Sequence, residues 1–206
     1  MRSTPAKFWA WFSVNAGRLA RIVEPEASED ERMKLYAELN EQFDAAFENV
    51  ICEVGFKDGS AQFVISADGQ RERFGAVIDY VEGAPEIPGW KVVPFRQRMP
   101  VDYMLKMFGV DYPPADMRLK PAAAADNVDM AFYLKTDGRL DDASFSQVTY
   151  IVLDGLLGEF DVEAYVGVVE KTLLAPSAPW PEGALGLDEA RDEFDRLSAR
   201  LRPVRR

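Results

Sequence analysis

The sequence predicts an α+β protein: a mostly antiparallel sheet made of two strand-strand-helix-strand units, with a helical pair before it and a C-terminal helix after it. Three observations lead there. Apolar residues recur at helical spacing near both ends of the chain, and β-rich runs bounded by turn residues fill the middle. In addition, the run Phe63-Val64-Ile65 with Asp68-Gly69 behind it recurs as Phe132-Tyr133-Leu134 with Asp137-Gly138 behind it, at the same internal spacing.

At the start, Phe8, Trp9, Phe12, Leu19 and Ile22 recur near helical spacing and predict a helix over residues 5 to 23 with an aromatic face. Ser28 with Glu31 three residues on is a capping-box pattern. Met33, Tyr36, Leu39, Phe43 and Phe47 then supply the apolar stripe of a second helix, from about 29 to 47. The texture next changes to strands. VICEVGF and AQFVISA flank KDGS, where Asp58-Gly59 suits the positive φ of a tight hairpin. Phe74, Val77, Ile78 and Val81 mark a helix, with Asp68 placed to cap its start, and a strand from about Trp90 to Gln97 follows.

The linker RMPVDYMLKMFGVDYPPADM reads as irregular, with a helical turn around Tyr103 to Phe108. Beyond it come a strand near DMRLKPA, the strand VDMAFYLKT and a helix from about Asp142 to Leu157. Residues 161–174 admit strand or helix and read better as strand because of their valines and tyrosine. The loop APSAPWPEGALG carries Trp180 as an anchor, and a last helix begins at Asp188 as N-cap and runs through Phe194, Leu197 and Leu201. The end RLRPVRR is basic and suits a helix C-terminus that frays into solvent. The whole chain, 1–206, reads as one domain, in which the pseudo-repeat, residues 50–97 and 116–174, joins into one sheet with helices on one face.

Composition excludes several chemistries. No histidine occurs in 206 residues, so Ser-His-Asp triads, Cys-His dyads and HExxH zinc sites are ruled out. The single cysteine, Cys52, lies in an apolar run and reads as a buried structural thiol of a reducing compartment. A net charge of −11 argues against nucleic-acid partners and anionic membranes. No apolar run approaches the roughly 20 residues of a membrane-spanning helix, and the N-terminal run is too short and too aromatic for a signal peptide. The expected location is cytoplasmic.

Neither GxGxxG nor GxxxxGK[ST] is present, which disfavours nucleotide binding. Asp154, Glu159 and Asp161 are the best candidates for a carboxylate or metal site, but their spacing on a helix and turn does not make them converge, so no metal and no cofactor are expected.

The stretch PEIPGWKVVPFRQRMP stands out because Pro94 cannot donate a ladder hydrogen bond, which places its strand at a sheet edge or bulge. Strand alternation puts Trp90, Arg96 and Arg98 on one face. One reading has Trp90 in the core and the arginines paired with the chain's many acids. The other has Trp90, Arg96 and Arg98 as an aromatic and basic groove for a protein partner, since Trp and Arg are frequent interface anchors.

The run FVISADGQRERFGAVIDYVEGAPEIPGWKVVPFRQRMP, together with LDGLLGEFDVEAYVG, resembles a family of uncharacterised bacterial proteins of about 200 residues that begin with a tryptophan-rich helix. The resemblance implies a bacterial cytosolic protein and brings no activity, ligand or functional residue with it. The functional expectation is a non-catalytic protein-binding or regulatory module. The alternative is an enzyme relying on carboxylate, tyrosine or lysine chemistry.

Overall fold

A computed structural model describes residues 3–138 and 140–202. The chain divides into two compact units, Met1–Arg96 and Gln97–Arg206, each with its own buried apolar cluster and its own three-stranded sheet. The class is α+β as expected.

The first unit opens with helix α1 (Pro5–Leu19), capped by the Thr4 hydroxyl and begun by a proline, whose missing N–H costs nothing at that position. A 3-10 turn, Ala20–Ile22, extends it. Helix α2 (Glu29–Asp44) starts where Ser28 Oγ accepts the amide of Glu31 at 3.2 Å; the Glu31 carboxylate turns to Arg21, 3.1 Å away. The pair is joined through aromatic rings. Phe43 and Phe47 stack at 4.4 Å, and Phe8 meets Phe47 edge-on at 5.0 Å. Helix α2 ends three residues short of the expected 47, and the chain leaves it through Asn49 at φ 58°.

Strands β1 (Ile51–Lys57) and β2 (Ser60–Ser66) form the expected antiparallel hairpin, with Asp58 and Gly59 both at positive φ. Phe63 and Ile65 on β2 are fully buried in the aromatic core. Helix α3 (Phe74–Glu82) follows a 3-10 turn, Arg71–Arg73. Asp68 does not cap it. Its backbone is left-handed (φ 53°), its amide donates to Ser66 Oγ and its carboxylate faces Arg96, so it belongs to the turn instead.

Strand β3 (Trp90–Pro94) lies parallel to β2 at the sheet edge. The amide of Phe95 donates to the carbonyl of Ile65, so alternation turns position 94 outward, and Pro94 sits where no ladder donor is needed.

In the second unit a small hairpin, β4 (Leu105–Met107) and β5 (Val110–Tyr112), replaces the expected helical turn. Its two-residue loop is Phe108-Gly109, both at positive φ (54° and 72°). Strands β6 (Met117–Ala123) and β7 (Val128–Lys135) pair antiparallel. Helix α4 (Asp142–Leu157) matches its expected limits and is capped by Asp141, which accepts the amide of Ser144 at 2.7 Å.

Of residues 161–174, which admit strand or helix and read better as strand, the first five belong to helix α5 (Glu159–Tyr165), and the rest form β8 (Val166–Leu174), parallel to β7. Gly158, at φ 85° and ψ 140°, breaks α4 and starts α5. Burial of Val162 in the core overrides the strand preference of its neighbours. Helix α6 (Leu187–Ser198) is capped by Gly186 rather than Asp188; the Gly186 amide donates to the Glu189 carboxylate. Of the basic end, Arg200 and Arg202 are in place, while Arg205 and Arg206 lie outside the described residues.

Both units run antiparallel hairpin, helix, then a strand parallel to the hairpin's second member. The pairs Phe63 with Val54 and Ile65 with Cys52 have counterparts in Phe132 with Leu119 and Leu134 with Met117. The single joined sheet, however, is replaced by two separate three-stranded sheets and the two-stranded hairpin. Two edges show why strands do not run on. Pro94 interrupts the donor row of β3, and Leu185 bridges to Leu119 on β6 through bonds of 3.0 and 2.8 Å.

Candidate functional site

Trp90, Arg96 and Arg98 do not form one face. Phe95 adopts φ 61°, which ends the alternation of β3, and Arg96 closes the first unit while Arg98 belongs to the second. Trp90 is half-buried, its indole N–H donating to the carbonyl of Ala16 at 3.0 Å and its ring 4.9 Å from Phe12. It also lines a shallow cleft of about 560 Å³ with Val81, Pro85, Ile87 and Val92. Arg96 holds Glu53 at 2.7 Å and Asp68 at 3.3 Å. Arg98 donates to both oxygens of Asp195, to Asp161 and to the carbonyl of Leu157. Both guanidiniums are thus occupied by the chain's own acceptors.

The three acids considered for metal binding have separate environments. Asp161 is taken by Arg98 and Arg202, each at 2.8 Å. Glu159 is fully buried in the first turn of α5. Asp154 stands near Tyr103, whose phenol is pushed up by burial and by that carboxylate. Among the described residues no group of three acid or cysteine side chains is placed to hold a metal. The Cys52 thiol is buried and desolvated, which pushes its pKa well above the ordinary value, as suits a structural thiol.

A different constellation forms on the outer face of the second sheet. Even-numbered residues of β7 (Val128, Met130, Phe132, Leu134) turn inward and are buried, so Asp129, Ala131, Tyr133 and Lys135 turn outward. Register places Arg118 beside Tyr133 and Lys120 beside Ala131 on the same face. The loop 175–186 then crosses toward the β6 edge, held by the Leu185 bridge and by Lys120 Nζ donating to the carbonyl of Glu182 at 3.0 Å.

Trp180 in that loop has the Lys135 ammonium 4.3 Å and the Arg118 guanidinium 4.9 Å from its ring centroid. Among the described residues, no carboxylate lies within ion-pair distance of Arg118, Lys120 or Lys135. Asp129 and Glu170 share the face, but Asp129 is engaged by the amide of Val168 and Glu170 lies on the far strand.

The arrangement is three cations and two aromatic rings on a firm sheet, in a chain whose net charge is −11. It can bind an anionic group through charge-assisted hydrogen bonds, and it contains no nucleophile paired with a base. Sequence reasoning picked out Trp180 as an anchor but missed its partners, because only strand register and loop path bring them together.

Comparison with family models, with characterised proteins and with solved structures finds no match to this chain.

Proposed function

We propose that the protein is a non-catalytic protein-binding or regulatory module of a bacterial cytosol, and that its binding face is the outer face of the second sheet, which takes an acidic segment of a partner protein. The observation that carries this reading is Trp180 with Arg118 and Lys135 against its ring, neither cation opposed by a carboxylate. Several other arginines are paired with the chain's own acids, as Arg18 is with Glu38, Arg96 with Glu53 and Arg98 with Asp195. Leaving cations unopposed in so acidic a chain supports an external anion as their partner. The cytosolic setting rests on the sequence resemblance.

The experiment is capture with the wild type and with Arg118→Glu/Lys135→Glu at low and raised salt, with melting curves beside it. A partner held by the wild type, weakened by salt and lost to the charge-reversed variant at unchanged melting temperature supports the reading. Equal capture by the two proteins would sink it.

A further inference from the structure

We propose that strand β8 is the edge through which two copies of this chain pair, joining their second sheets into one six-stranded sheet about a two-fold axis. The sheet edges differ in how they are closed. β3 carries Pro94, β6 is bridged by Leu185, and on β1 the carbonyl of Cys52 is capped by the Tyr36 hydroxyl at 3.1 Å. β8, nine residues long and lacking proline, has no such cover among the described residues. Leu174 accepts the amide of Thr136, so the even-numbered residues bond to β7, while alternation turns the N–H and C=O of Val169, Lys171 and Leu173 outward. Val168 is 62% and Leu173 37% exposed.

The occupant that fits is a second β8 running antiparallel. Hydrogen-bonded pairs must join outward-facing residues, and both side chains of a pair must share a face. Centring the axis on Glu170 opposes two carboxylates. Centring it on Lys171 sets Val169 against Leu173 of the other copy on the helix side, and on the outer side sets Val168 against Leu174 and Glu170 against Thr172. The two Lys171 then meet at the axis, but each ammonium is already engaged by Asp142 on its own helix α4. This register uses all three outward-facing residues of each strand and is isologous, as a closed dimer requires.

Sedimentation equilibrium of the full chain from about 1 to 100 μM, the range in which moderate interfaces of this kind assemble, tests the pairing. Twice the chain mass is expected at the upper end, with Val169→Pro monomeric because it removes an outward N–H without touching the β7 ladder. Thr172 is exposed, so its substitution separates register from folding. Thr172→Glu faces Glu170 of the other copy twice and should weaken the dimer about tenfold, whereas Thr172→Lys should hold or tighten it. A monomer throughout, or equal effects of Thr172→Glu and Thr172→Lys, would overturn the proposal.

Discussion

Arg98 grips Asp195 through both terminal nitrogens, each 2.7 Å from a carboxylate oxygen, while its Nε donates to the carbonyl of Leu157 at the end of α4, also at 2.7 Å. One side chain therefore ties the C-terminus of α4 to α6, and through Asp161 to α5. Arg98→Ala leaves the Leu157 carbonyl without its donor and Asp195 with only Arg202 at 3.4 Å, while Asp161 keeps Arg202 at 2.8 Å; it should destabilise the second unit by about 1 to 3 kcal/mol. Arg98→Lys, which keeps the charge but loses the planar fork, should fall between. Urea unfolding of the three proteins checks the order.

The same pair sets a pH dependence. Hydrogen bonding from Arg98 holds the Asp195 carboxyl below the usual carboxylate range. A depressed folded pKa contributes stability that is fully present above the unfolded value, about 3.9, and is lost as pH falls through the folded one. The stability gap between wild type and Asp195→Asn should be constant above about pH 5 and close below pH 4. A gap that persists at pH 2 would mean that the loss in the variant is one of packing.

Most of the fold was legible because its signals are local. The helix read over Asp142 to Leu157 is α4 to the residue, and Asp58-Gly59 marks the first hairpin. What escaped depends on backbone states that sequence does not advertise. Phe108 is an improbable residue for a left-handed turn position, so the second hairpin looked like a helical turn. Phe95 in the same region ends the alternation that seemed to align Trp90 with Arg96 and Arg98. The cationic face escaped for a third reason: Arg118, Lys135 and Trp180 are distant in sequence and meet only through register and loop path.

Gly158 joins α4 to α5 at φ 85° and ψ 140°, a combination that L side chains avoid. Gly158→Ala should cost about 1 to 3 kcal/mol, seen as a lower unfolding midpoint of the second unit. An alanine that leaves stability unchanged would show that the helix junction relaxes freely.

Cys52 is 5% exposed and its Sγ donates to Asn40 Oδ1 at 3.3 Å. Desolvation first, and the charges of Asp44 and Glu53 after it, keep the thiol protonated at neutral pH. A disulfide reagent such as dithionitrobenzoate should label one thiol at once in denaturant and react very slowly with the native protein. Rapid native labelling would place Cys52 on a mobile edge of β1.

Gly167 lies in the irregular stretch of β8 between the Val128 and Met130 pairings, under the side chain of Asn127. A Cβ at 167 would stand 2.4 Å from both Cγ and Oδ1 of Asn127, closer than any relaxed contact. Gly167→Ala must push Asn127 away and should cost about 1 to 3 kcal/mol. The Asn127 oxygen is buried without a partner, so removing it sacrifices no hydrogen bond at that atom. Asn127→Ala should therefore be mild alone and should rescue Gly167→Ala, giving a coupling of about 1 kcal/mol or more in a double-mutant cycle. Additive losses would mean that the strand resists any Cβ at 167 because of its own backbone shape, and that the Asn127 contact is incidental.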